Sequence, residues 1–428
     1  MMTAVRRRAL LLLLSCLIKV STTTRWSFAY FPAGANFSSG AVNYDAITHV
    51  IDVSSKILAA ADGSITVADD WPSVGAIKAA ETYSKALGVS LSGEDKDAQD
   101  ALVADPAARA TLVAQLTALL RRLRRDSTST SGTNITQVMV DFEGLASTTE
   151  CREGFTSLVA SLAAALEPES VDVVPTIWVR LRLSIQPLKS IYPNSVLAPL
   201  AQQAAKLYEE VNYDTGYDAA ALCASVGNAA VLIMGYDLNP LDLPSGVSGW
   251  QVASGNAPLP NLQDALNHTI AGLGCDPQRV VLGLPWYGRL YTCDGGSGPL
   301  YPGAGNCSCA TDNMKKKSFD LLDGLGSSSD CFFGYDDASS SRVVECPRGS
   351  GLPSSGSTNA TSRQQAWYDD ASTLERKYAL AAAWGLRGIG VWTAASASAN
   401  NALAPSSPNG TFPRDGDMWA ALKAYAAG

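Results

Sequence analysis

Short apolar runs alternate with longer amphipathic stretches along most of the chain. Residues 26–32, 48–53, 88–92, 136–143, 172–179, 229–236, 279–285 and 388–392 are rich in β-branched and aromatic side chains and predict strands. Between them, residues 106–125, 155–166, 262–273 and 371–384 carry apolar positions at helical spacing. Eight strands separated by helices require a parallel sheet, and that number suggests closure into an α/β (β/α)8 TIM barrel. An open doubly wound sheet is the rival architecture. Against it, no Gly-x-Gly-x-x-Gly follows the first strand and no phosphate loop is present.

Two long stretches interrupt this rhythm. Residues 180–213 form an extra segment with mixed signals, and residues 290–365 form a Gly/Ser/Cys-rich insertion after strand seven. Segments that follow barrel strands belong at the C-terminal mouth, where function resides. The fourth strand ends Met139-Val140-Asp141-Phe142-Glu143. Strand side chains alternate, so Asp141 and Glu143 face one way while Val138, Val140 and Phe142 face the other. A strand covered on both sides rarely carries acids unless they are paired or used. Other strands end Met234-Gly235-Tyr236-Asp237, Pro285-Trp286-Tyr287 and Val391-Trp392-Thr393. A single tryptophan is more often core than site, but a barrel would bring all these ends to one mouth. Aromatic faces beside carboxylates suit a sugar, whose apolar ring faces stack and whose hydroxyls meet the acids.

At 428 residues and 46% hydrophobic, the chain can bury a large core. Arg6-Arg7-Arg8, an apolar run over 9–18 and small polar residues at 21–24 read as a secretory signal peptide over 1–23. The barrel then occupies 24–428, and no later stretch could cross a bilayer. Loss of the segment up to Val20 removes four basic residues and no acidic one, taking the formal charge from −8 to −12. Such a balance disfavours nucleic acid as a partner. Cys16 leaves with the leader. The other eight cysteines (Cys151, Cys223, Cys275, Cys293, Cys307, Cys309, Cys331 and Cys346) are an even set that reads as disulfides, with five of them inside the insertion. With only His49 and His268 available, a metal site at Cys307 and Cys309 is not expected. Sequons at Asn36, Asn134, Asn267, Asn306, Asn359 and Asn409 agree with the secretory route, ending outside the cell or in a lysosome or vacuole. The runs 121–125 and Lys315 to Lys317 read as solvated surface.

Asp141-Phe142-Glu143, Met234-Gly235-Tyr236-Asp237, Leu284-Pro285-Trp286-Tyr287-Gly288, Trp367-Tyr368-Asp369-Asp370 and Arg387-Gly388-Ile389-Gly390-Val391-Trp392 resemble the chitinase-type family 18 glycoside hydrolases. Within that family the likeness is greatest to the di-N-acetylchitobiases. It is strong from Val231 onward, moderate around Asp141–Glu143 and thin elsewhere. The resemblance implies substrate-assisted, retaining hydrolysis of β-1,4-linked N-acetylglucosamine oligomers, in which the sugar's own acetamido oxygen attacks the anomeric carbon. Two acids on one strand edge, about 6.5 Å apart by strand geometry, cannot easily flank a glycosidic bond, which agrees with that route. It implies Glu143 as proton donor, Asp141 as the partner of the acetamido N–H, and Tyr236 as the donor to its oxygen. Trp392 would floor the ring, and Trp286, Tyr287, Asp237 and Met234 would line the site. No cofactor is implied, and the enzyme is expected to act as a monomer. The family's fuller motif carries acids seven and four residues before the glutamate, where Thr136 and Met139 stand here. Methionine neither accepts nor donates a strong hydrogen bond, so Asp141 lacks a strand neighbour to share its proton. A carbohydrate-binding protein of the same fold whose catalysis has lapsed is the competing function.

Overall fold

In the computed structural model, parallel strands alternate with helices and the sheet closes on itself. The structure describes residues 25–126, 135–178, 216–227, 229–238, 250–293, 307–310, 314–318, 322, 331–347, 363–397 and 415–428. The expected signal segment and the stretch 180–213 lie outside them, as do Asn134, Asn306, Asn359 and Asn409. The barrel strands are β1 (Trp26–Phe31), β2 (His49–Ala59), β3 (Ala86–Gly93), β4 (Ile135–Val140), β5 (Asp172–Trp178), β6 (Val231–Met234), β7 (Val280–Pro285) and β8 (Gly388–Trp392). Neighbours pair in parallel throughout, and β1 closes the ring: Phe28 stands opposite Gly390 of β8 on one side and His49 of β2 on the other. The architecture is the (β/α)8 barrel expected from the spacing.

Alternation sorts side chains across the wall. Phe28, Tyr30, Ile51, Met139, Val174, Leu232, Met234 and Val281 fill the barrel interior. Val138, Val140 and Phe142 face outward into the core shared with the helices. One such helix, α4 (Thr149–Leu166), buries Phe155, Leu158, Val159, Leu162 and Leu166 at helical spacing, and Thr148 caps it by accepting from the Cys151 N–H. The expected helix over 262–273 is shorter than its pattern suggests. It runs as an α-helix from Leu259 to Leu266 and continues as a π-helical turn, Asn267–Gly272. Among the described residues, no helix is long and apolar enough to cross a membrane.

Between β7 and β8 the chain builds a second, antiparallel sheet of five strands. In spatial order these are Met314–Ser318, Tyr287–Cys293, Arg363–Tyr368, Ser341–Pro347 and Phe332–Asp336. The disulfides Cys293–Cys307 and Cys331–Cys346 staple this region, while Cys223–Cys275 ties two segments beside the barrel. Cys151 departs from the expectation that all the cysteines pair: it is a free, buried thiol 3.9 Å from Asp100 Oδ1.

Trp286 also departs from expectation. Along β7 the even positions Val280, Leu282 and Leu284 belong to the outer core, and Trp286 continues that series. Its ring is 1% exposed, meets Trp419 edge-on at 4.6 Å and donates from Nε1 to Tyr378 Oη at 3.3 Å. It therefore packs against α7 (Ala371–Ala383) and α8 (Asp415–Ala427) instead of lining the mouth. Truncation to Trp286→Ala is expected to cost about 3–5 kcal/mol of stability through the cavity it leaves. Urea unfolding followed by circular dichroism measures that loss.

Candidate active site

The C-terminal ends of the barrel strands enclose a cavity of ≈ 290 Å³. Its wall includes Asp141, Glu143, Met234, Tyr236, Asp237, Tyr287 and Trp392. Of the eight residues singled out from the sequence, only Trp286 stays outside. The cavity is small because interior side chains fill the barrel beneath it, so a ligand meets it from the rim.

The two acids stand just beyond β4, which ends at Val140. Their backbone is pinned at three points. The Asp141 N–H donates to the Leu91 carbonyl at 2.8 Å, and the Tyr217 hydroxyl donates to the Phe142 carbonyl. The Phe142 ring is fully buried near Phe155, 5.9 Å between centroids. Gly144 then turns the chain at φ +69°, a left-handed conformation that glycine adopts without steric cost. Asp141 is tied down as well: Lys56 Nζ donates to Oδ2 at 3.1 Å and Thr176 Oγ1 to Oδ1 at 3.0 Å. Glu143 differs. Its carboxyl has no hydrogen bond among the described residues and projects from the rim. Partial burial, followed by the negative charge of Asp141, pushes its pKa up, and Lys56 and Lys316 oppose that rise.

Across the mouth, Tyr236 follows β6 and lies nearly parallel to Trp392, 6.3 Å between ring centroids. It reaches this place because two backbones approach closely. The Gly235 N–H donates to the Gly283 carbonyl at 2.9 Å, and a Cβ on Gly235 would meet that oxygen at 2.6 Å. Burial pushes the Tyr236 phenol well above its ordinary pKa, so it stays protonated and able to donate. Tyr30 packs on Trp392 from the other side at 5.2 Å. Its hydroxyl and that of Ser90 are buried in the cavity wall without a hydrogen-bond partner among the described residues. Ser90 is the register partner of Met139, so its hydroxyl lies beside the position where the fuller motif would have an acid.

Asp237 has a left-handed backbone (φ +57°), held by its N–H donating to Asn256 Oδ1 at 2.9 Å. Its carboxylate accepts from Tyr287 Oη at 2.6 Å, from Arg289 at 3.0 Å and from Lys316 Nζ at 2.5 Å. Burial alone would raise its pKa, but Arg289, Lys316 and Tyr287 together hold it below the ordinary carboxylate range. Lys316 corrects the reading of Lys315 to Lys317 as plain surface. Its stem is solvated, yet its ammonium closes one side of the mouth.

Sequence reasoning missed Tyr30, Lys56, Ser90, Thr176, Arg289 and Lys316. Tyr30 was within reach, because it shares the inward parity of Phe28. Lys316 was not, because it arrives from the second sheet. Among the described residues no group of His, Cys, Asp or Glu is arranged to hold a metal ion.

Comparison with known proteins places this architecture. It is similar to a chitinase from Chromobacterium violaceum, with a TM-score of 0.62 at 17% identity, covering 94% of this chain and 99% of that one. A Group IV chitinase from Ostrinia furnacalis gives 0.60 at 14% identity, covering 94% of this chain and 100% of that one. The spore cortex-lytic enzyme SleL from Bacillus cereus gives 0.60 at 14%, covering 93% and 73%. At such identities the likeness concerns the fold. No curated protein sequence matches the chain. The family model for glycosyl hydrolases family 18 matches residues 27–397, taking in every barrel strand from Ser27 onward and the whole acid-bearing mouth, and the chain belongs to that family.

Proposed function

We propose that this protein hydrolyses β-1,4-linked N-acetylglucosamine oligomers, chitin fragments or the chitobiose core of N-linked glycans, by a substrate-assisted retaining mechanism. The observation that carries the reading is Glu143: a carboxyl with a raised pKa and no hydrogen bond among the described residues, beside a fixed second carboxylate, in the cavity that also holds Tyr236 and Trp392. The likeness to chitinase structures supports the same substrate class.

In this reading Trp392 and Tyr236 offer flat apolar surface to the pyranose ring. The acetamido group turns toward Asp141, whose carboxylate takes the N–H, while Tyr236 donates to the carbonyl oxygen and aims it at the anomeric carbon. That oxygen attacks, the C1–O bond breaks, and Glu143 gives its proton to the departing oxygen, leaving an oxazolinium ion. Glu143, now a carboxylate, removes a proton from water as it adds to C1, and the ring of the intermediate reopens. The fixed negative charge of Asp141 favours the cationic intermediate without reorganisation. The Tyr30 and Ser90 hydroxyls, without a partner among the described residues, are available to polar groups of the bound sugar. Chitobiase-type activity is the finer form of this proposal, and the small cavity suits a short substrate. A destination outside the cell or in a lysosome or vacuole agrees with the three disulfides, which need an oxidising route.

Release of a fluorophore from a chitobioside tests the proposal. Glu143→Gln should lower kcat by about 10²–10⁴-fold while leaving affinity for the sugar near wild type. Binding without turnover in both forms would instead identify a carbohydrate-binding protein. Because Glu143 must be protonated to act, kcat/KM should hold at mildly acid pH and fall as pH rises through its elevated pKa. A pH–rate profile shows the position of that limb, and a limb in the ordinary glutamate range would remove Glu143 from this role.

A further inference from the structure

Lys56 reaches Asp141 only because β2 is irregular. Up to Asp52 the strand is in register with β3, Asp52 opposite Val89. Pairing resumes with Ile57 opposite Leu91, so residues 53–56 face Ser90 alone. Three extra residues invert the phase of the strand. Ile51 points into the barrel interior, whereas Ile57, also odd-numbered, points into the outer core. Without this bulge Lys56 would share the outward parity of Val50 and Asp52. With it, the side chain turns toward Asp141 at the rim of the mouth. The bulge is also braced. Buried Asp52 accepts from the Ser54 N–H at 3.0 Å and from Ser54 Oγ at 2.5 Å, and its other oxygen accepts from the Ser73 N–H at 2.8 Å.

Resting on the hydrolase reading above, we infer that Lys56 is a positioning residue that has taken over the part of an acidic neighbour to Asp141. Met139, the inward residue preceding Asp141 on β4, cannot bind the carboxylate. Lys56 and Thr176 instead occupy one oxygen each, fixing the direction in which Asp141 meets the acetamido group. The ammonium also opposes the rise that burial and the charge of Asp141 impose on the Glu143 pKa. The groups facing this pair are Tyr30 from β1, Lys56 from β2, Tyr217 ahead of α5 (Ala219–Ser225), Tyr236 and Asp237 after β6, and Lys316 from the second sheet. Of the two lysines, Lys56 alone is bonded to Asp141; Lys316 is engaged by Asp237.

The test compares wild type, Lys56→Met and Lys56→Arg in two measurements. One is chitobioside hydrolysis across pH, and the other is an NMR titration of the Glu143 carboxyl in selectively labelled protein. In Lys56→Met, kcat should fall about tenfold with KM changed less than about twofold, as expected when only the reacting geometry is disturbed. The Glu143 titration, and with it the alkaline limb, should move up by about half a pH unit. Lys56→Arg should restore both. An unmoved Glu143 titration in Lys56→Met overturns the inference, whether or not kcat falls. An inactive wild type would defeat the hydrolase reading, and the titration would still decide what Lys56 does to the pair.

Discussion

Strand β1 pairs on both of its edges, with β8 and with β2, and the remaining strands of the ring follow from that closure. A sheet without edges satisfies its own backbone donors and acceptors and offers no template for pairing with another chain. It also forces all eight strand ends into one small circle. Residues as distant in sequence as Tyr30, Asp141, Tyr236 and Trp392 then line a single cavity. Their shared address is a consequence of ring geometry, and the interior layer of Phe28, Ile51, Val174, Leu232 and Val281 keeps the cavity shallow by filling the space below.

Charge at the mouth follows a rule of local compensation. Asp141 has Lys56, and Asp237 has Arg289, Lys316 and a phenol. These pairings let two carboxyl groups sit beside aromatic rings in a partly dry site. The third acid, Glu143, has no bonded cation among the described residues; burial, and after it the charge of Asp141, raises its pKa against the pull of Lys56 and Lys316. Division of labour among these carboxyls thus arises from burial together with which of them a cation bonds.

Much of this was legible in the sequence because a two-residue period is easy to follow through a regular strand. The eight strands and the acids at the end of the fourth come from spacing and parity, while Met234, Tyr236 and Trp392 come from their place at strand ends and from the family resemblance. The same rule, applied strictly, would have sent Trp286 outward with Val280, Leu282 and Leu284. Proximity to Tyr287 and an aromatic theme drew it wrongly toward the mouth. Lys56 was beyond such reasoning, since three extra residues in β2 reverse its direction and nothing in the local composition announces them. Lys316 and Arg289 were hidden for another reason. The strands that carry them belong to an antiparallel sheet that begins at Tyr287 and runs on into the Gly/Ser/Cys-rich stretch, whose pattern reads as loop.

The unheld head of Glu143 has a meaning for how such a protein changes over time. Its backbone is anchored by Leu91, Tyr217 and Phe142, all through groups other than its own side chain. Among the described residues its replacement by a group of similar size would break no hydrogen bond, so folding there exerts little pressure to keep the carboxyl. Turnover does. A lineage that ceased to need the reaction could lose this one group and retain an intact sugar-binding barrel.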